Sequence, residues 1–173
     1  VLMNFIHYYF GSVYHTYLII NFKKIMKYKV IDNIIDFHKL KDNWNFLYKN
    51  DKNNSFFKTF EYNFYSWKEE LNNDYNILSI VVGFHDDQIK SIFPLYIDQY
   101  LKLRFINDLH SDFCDYLSIG ENNFESVINI LKSYFKIKHI HLINIRSDSN
   151  LLTDSSNFVK PVITSEYSKL QLL

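Results

Sequence analysis

Helical spacing is the first pattern to emerge along this chain. Ile34, Phe37, Leu40, Trp44, Leu47 and Tyr48 recur at intervals of three and four, which predicts an amphipathic helix over residues 34–48. Asp32 or Asn33 is placed to cap it. "NDKNNS" at 50–55 then breaks it with turn formers. "FFKTFEYNFYSWKEEL", residues 56–71, predicts further helix. Thr59 is its expected N-cap, with Glu61 in the first turn facing the positive helix end. Phe60, Phe64, Trp67 and Leu71 make its apolar stripe.

Elsewhere the period shortens or disappears. "KYKVID" at 27–32 predicts a short strand. "ILSIVVGF" at 77–84 is nearly continuous, apolar and β-branched, the signature of a strand buried on both faces. "HDDQ" supplies a hairpin turn and "IKSIFPLYI", 89–97, runs back. Pro94 has no amide hydrogen for a ladder, so a bulge or an unpaired edge is expected there. "YLKLRFI" at 100–106 alternates and predicts a third antiparallel strand. "ENNFESVINILKSYF", 121–135, predicts a helix with Phe124, Val127, Ile128, Leu131 and Phe135 on one side. "KHIHLINI", 138–145, predicts a strand reached by a parallel crossover. The order is strand, two helices, antiparallel meander, helix, strand. It predicts an α/β fold with a mixed, mainly antiparallel sheet and flanking helices.

The two ends read differently. Residues 1–22 hold no Asp, Glu, Lys or Arg before Lys23 and Lys24. That is long enough to cross a bilayer, but Asn4, His7, Ser12, His15 and Asn21 interrupt it, and its tyrosines make it more interfacial than oily. It lacks the positive start and small-residue cleavage site of a secretory signal. Met26 opens "MKYKVIDNIIDF", which reads as a natural start. Residues 1–25 are therefore expected to be an extension outside the fold or a weak membrane or surface anchor. At the other end, "RSDSNLLTDSSNFVK", 146–160, is linker-like, and "PVITSEYSKLQLL" follows with no closing element. The expected division is an extension at 1–25, a folded lobe at 26–145, and a linker with the start of a further lobe at 146–173. On this expectation the chain is a fragment of a longer protein.

Composition changes this picture in few places. The 173 residues suffice for one core. A formal net charge of zero argues against nucleic acid and anionic membrane as partners. The many Phe and Tyr side chains also lack the interleaved basic stripe of a single-strand binder. Cys114 is the only cysteine, so no internal disulfide forms and a reducing compartment, the cytoplasm, is the simpler expectation. Alanine is absent while Asn, Lys, Ile, Phe and Tyr abound, a bias that follows AT-rich codons rather than function. Glycine occurs three times, which constrains any phosphate cradle.

Candidate chemistry concentrates in "DLHSDFCDYLSIG", 108–120. If 110–115 is extended, His110, Asp112 and Cys114 share one face and Asp115 takes the other. Three such donors are the kind that ligates zinc, but no second Cys or close His pair follows at the usual spacing. The simpler expectation is that Asp112 and Asp115 brace a turn while Cys114 fills a small buried space. His139 and His141 share one strand face, which is more simply an exposed face than a metal pair. Trp44 and Trp67 fall at core positions, with substrate stacking a lesser role for Trp67. There is no G-x-S-x-G elbow, P-loop or H-E-x-x-H.

The element order resembles the first half of the GNAT acyltransferase fold. "FFKTFEYNFYSWKEEL" is similar to the F-x-S-x-x-W…W segment of the CelD/BcsL-like acetyltransferases. "IFPLYI" resembles their PL strand after a hairpin, and "HSDFCDYLSI" their sDy-x-D-x-l run. The similarity spans about residues 27–165. It implies two GNAT-like lobes in tandem, with acetyl-CoA or another acyl-CoA as co-substrate. It also implies N- or O-acyl transfer to a small-molecule or sugar-type acceptor. In that family a Q/R-x-x-G-x-G/A turn at a helix N-terminus holds the pyrophosphate, since glycines let backbone amides approach it and the helix dipole adds attraction. Here the matching turn, "LSIGENNF", has Gly120 alone, followed by Glu121, whose carboxylate repels a pyrophosphate. The resemblance therefore implies no cofactor on this chain. CoA is expected in the second GNAT-like lobe, with this lobe inactive alone and shaping the acceptor cleft. Trp67, His110, Asp112, Asp115 and Tyr116 are the candidate acceptor-binding residues. Tyr116 is also placed for the general-acid role that tyrosine has in many GNAT enzymes, but nothing in its context marks it as one, and no catalytic residue is singled out. A non-catalytic GNAT-like binding or pairing module is the alternative, and a small metal-dependent enzyme built on 110–115 is a third.

Overall fold

The computed structural model describes residues 2–10, 13–21, 26–106, 108–120 and 122–154, the first two runs by their backbone. In chain order the strands and helices are β1 (Leu2–Phe10), β2 (Val13–Asn21), β3 (Lys27–Ile31), α1 (Ile34–Lys39), α2 (Lys41–Asn50), α3 (Phe60–Tyr65), β4 (Ile77–Leu78), β5 (Ile80–His85), β6 (Gln88–Phe93), β7 (Leu95–Ile97), β8 (Lys102–Phe105), β9 (Leu117–Ser118), α4 (Phe124–Tyr134), β10 (His139–Ile140) and α5 (Asn150–Asp154). The fold is α/β with mostly antiparallel sheets, as the pattern predicts.

One hairpin is the spine. Its tip carries Asp86 and Asp87 at φ of 50° and 59°. Positive φ at both central residues is what a type I′ turn requires, and Asp tolerates it better than most side chains. Each arm is broken once. β4 and β5 are separated at Ser79, and β6 and β7 at Pro94. The missing proline hydrogen thus produces neither a bulge nor an edge, but a change of neighbour. Before the break the returning arm pairs with β9; after it, with β8. The Pro94 carbonyl still accepts from Ile106 N at 2.9 Å. Two four-stranded sheets result, in the orders β3-β5-β6-β9 and β4-β7-β8-β10, and β1-β2 is a two-stranded antiparallel sheet.

The near-continuous apolar run of β5 follows from burial on both faces. Ile80, Val82 and Ile92 join the core under α1–α3, with Phe37, Trp44, Leu47 and Phe60. Val81 and Phe93 join the core under α4, with Val127, Ile128 and Leu131. Asn33 caps α1, its side chain accepting from Asp36 N. Thr59 caps α3 through Tyr62 N.

Several elements differ from their predicted form. The helix expected over 34–48 is two helices meeting at Leu40, which ends α1 and begins α2. The 56–71 helix is three pieces: a 3-10 turn (Phe56–Lys58), α3, and a π turn (Ser66–Leu71). The strand at 138–145 is reduced to β10, which is parallel to β8 rather than to β9. Residues 146–154, expected as linker, are packed on the domain. Leu151 and Ser149 are buried, and the Asp148 carbonyl accepts from Asn53 Nδ2 at 2.8 Å. Among the described residues, no helix is long and apolar enough to cross a membrane. Glu121 and residues 155–173 lie outside the described set.

Candidate functional site

A cavity of about 190 Å³ opens where the π turn, β7 and the loop after β8 meet. Glu70 and Leu71 border it from the π turn, Tyr96 from β7, and Asp108, Leu109 and His110 from the loop. The π turn is closed by Asn72 N donating to Trp67 O at 2.8 Å, five residues back. An α-helix advances about 100° per residue, so a turn one residue wider redirects the side chains that follow. Trp67 stays in the core, its ring 6.2 Å from that of Tyr96, while Glu70 and Leu71 reach the cavity.

Tyr96 is the distinctive group. It is only 4% exposed, yet its hydroxyl makes no hydrogen bond to a described residue. Burial pushes its phenol up to about 12, so it remains a protonated donor at neutral pH.

Across the strand pair from Tyr96 stands Arg104. Its Nε and one terminal nitrogen donate to the two carboxylate oxygens of Asp108 at 3.0 and 2.7 Å. Its other terminal nitrogen lies 3.8 Å from Asp98 Oδ2. Burial raises the Asp108 pKa, and the Arg104 hydrogen bonds and charge oppose that rise. The two-point geometry keeps the pair ionic. Asp98 in turn accepts from the amides of Tyr100 and Lys102. The guanidinium is thus committed to carboxylates already present.

The loop that carries His110 is braced from both sides. The Tyr62 hydroxyl donates to the His110 carbonyl at 3.0 Å. Asn144 Nδ2 donates to the carbonyls of Asp108 and Ser111, both at 2.8 Å, and Asn144 O accepts from Cys114 N. Asn144 holds φ at 59° to do so, a conformation asparagine tolerates.

The five residues expected at an acceptor site do not converge. His110 borders the cavity and Trp67 lies behind it. Asp112 is exposed on the loop. Tyr116 is buried, its ring stacked on Phe93 at 4.2 Å. Asp115 belongs to a separate buried charge cluster. Lys58 Nζ lies 2.5 Å from Asp51 Oδ2 and 3.9 Å from Asp115 Oδ2, with all three side chains nearly excluded from solvent. Burial raises the Asp115 pKa, and Lys58 and a Ser149 hydrogen bond oppose the rise. Asp115 was expected to brace a turn; it instead faces the buried Lys58.

Residues 110–115 form no strand. Cys114 is buried while His110 and Asp112 are exposed, so the expected shared face of His110, Asp112 and Cys114 does not form. Among the described residues no group of three or more His, Cys, Asp or Glu is placed to hold a metal ion. His139 and His141 are both exposed.

The turn before α4 is occupied by its own side chains. Asn123 caps the helix through Ser126 N, and Asn123 N donates to the Tyr28 hydroxyl at 3.0 Å. Ser118 Oγ and Asn122 Nδ2 both donate to the Gly120 carbonyl. A Cβ on Gly120 would meet nothing within 4 Å, so no close contact within the protein demands glycine there.

Sequence reasoning missed Glu70, Tyr96 and Arg104 as site residues. Arg104 left one signal, a cation in a strand with Asp108 four residues on. Glu70 left none, since nothing in "SWKEEL" distinguishes a π turn from an α turn. No family model matches this chain, and no curated protein or solved structure is significantly similar to it.

Proposed function

We propose that the domain is the acceptor-binding lobe of an acyl-CoA-dependent acyltransferase of the GNAT type, with the acyl-CoA held by a second lobe. The observation that carries this division is where polar groups are free and where they are spent. At the start of α4, Asn123 N donates to the Tyr28 hydroxyl and Ser126 N to the Asn123 side chain, so these two amides are not available to a pyrophosphate. The Tyr96 hydroxyl, by contrast, borders a cavity of a size for a small acceptor. In the transfer, the acceptor's nitrogen or oxygen lone pair attacks the thioester carbonyl carbon. The carbon–sulfur bond breaks, CoA leaves as thiolate, and the acceptor's proton ends on the thiol. Holding the two reactants together supplies the main acceleration.

Calorimetric titration of the chain with acetyl-CoA tests the division. The expected result is no saturable binding tighter than about 1 mM. Micromolar binding that Gly120→Val abolishes would overturn it. Labelled acetyl transfer from acetyl-CoA separates the enzyme from its alternative. Transfer by the gene's whole product, and none by the 173-residue chain, supports an acyltransferase. Binding of acceptor with no transfer by either supports a non-catalytic binding module, the reading that the occupied turn before α4 also favours.

A further inference from the structure

We infer that the cavity beside Tyr96 takes a small organic ammonium ion. This rests on the proposal that the cavity holds the acceptor, and it names that acceptor's charge. Three carboxylates, Glu70, Asp98 and Asp108, stand at or just behind the cavity, against the single guanidinium of Arg104. That guanidinium is tied to Asp98 and Asp108, so among the described residues at the cavity no Lys or Arg is left to receive an anion. Glu70 has no such partner among the described residues and stands at the rim. Tyr96 lines the cavity and its oxygen has no hydrogen-bond partner among the described residues, so that oxygen can accept from an ammonium N–H. The His110 carbonyl is already taken by Tyr62, which fixes the loop and leaves Glu70 and Tyr96 as the groups that meet the ligand. The cavity volume of about 190 Å³ suits a ligand of a few heavy atoms. A widened helical turn at the rim accords with the frequency of π turns at functional sites.

The test compares three probes of similar size on the isotopically labelled full chain at pH 8, where histidines are mostly neutral. Ethylammonium chloride carries the proposed charge, ethanol none, and acetate the opposite one. Ethylammonium is expected to shift the amide resonances of Glu70, Leu71, Leu109 and His110 saturably, with a Kd of about 1–10 mM. Ethanol and acetate are expected to leave them in place. Glu70→Gln and Tyr96→Phe should each weaken ethylammonium binding about fivefold. Tyr96→Phe keeps the ring and removes an oxygen with no protein partner, so the fold survives it. Equal shifts from acetate or ethanol, no saturable shift with ethylammonium, or binding indifferent to Glu70→Gln would overturn the inference. Acyl transfer to neutral hydroxyl acceptors alone would sink the ammonium inference and leave the acyltransferase standing. Ammonium binding without any transfer would do the reverse.

Discussion

Lys58→Met removes the only cation of a buried three-charge cluster. The Lys58 ammonium is 3% exposed and its partners Asp51 and Asp115 are 1% and 9% exposed. The substitution keeps most of the side-chain volume but leaves two buried carboxylates facing the space it vacated. Breaking a buried pair by removing one partner costs about 3–5 kcal/mol, because the remaining charge is uncompensated. Against a total stability of about 5–15 kcal/mol, that is about a fifth or more of the whole. It corresponds to a fall in Tm on the order of 10 °C for a chain of this size. The pH dependence gives a second readout. Burial already holds the Asp115 pKa above its ordinary value, and Lys58 is the largest influence holding it down. Removing Lys58 raises it further. A carboxyl whose folded pKa is raised contributes stability that is complete below the unfolded value, about 3.9. That stability is lost as pH rises through the folded value. The deficit of Lys58→Met should therefore be widest at neutral pH and narrow as the solution is acidified. Urea denaturation of both proteins across that range measures it. Adding Asp51→Asn and Asp115→Asn should recover most of the loss, since the amide oxygens can still accept from Asn53 N and Tyr116 N. A deficit under about 1 kcal/mol, or one that grows on acidification, would refute the account.

Two further outcomes follow from the core. Burial pushes the Cys114 thiol up to about 12, so at pH 8 the native protein should react with iodoacetamide far more slowly than the urea-unfolded chain; mass spectrometry over time reads the difference. A Cβ on Gly83 would collide with Ser91 Oγ and come within 3.1 Å of Tyr28 Cε1, at the point where the β5–β6 register shifts. Gly83→Ala should cost about 1–3 kcal/mol in thermal denaturation. Ser91→Ala should cost little, because Ser91 Oγ is buried without a partner among the described residues. In combination with Gly83→Ala it should restore part of the loss.

Local chemistry was legible wherever a few neighbouring residues decide the outcome. Asn33 and Thr59 cap the helices they were expected to cap, because a short side-chain oxygen before an apolar stripe meets its own helix's amides in almost any surroundings. "HDDQ" makes its turn and "ILSIVVGF" is buried on both faces for equally local reasons. Trp44 and Trp67 are core residues, as their spacing requires. The grouping "DLHSDFCDYLSIG" was recognised as a polar cluster, but its members part company in space. Cys114 faces inward, Asp112 outward, and Asp115 turns to a lysine 57 positions earlier in the chain.

What the amino-acid order determined alone is the alternation of elements, their caps and turns, and which face of each is apolar, since these depend on period and on side chains within one turn of each other. The tertiary structure decided which strand lies beside which after Pro94, which carboxylates meet Lys58 and Arg104, and that Glu70 and Tyr96 border one cavity. Those pairings join residues from 4 to 57 positions apart. They are set by which buried charges and hydroxyls find partners as two sheets close on one hairpin, and period and local propensity do not encode that.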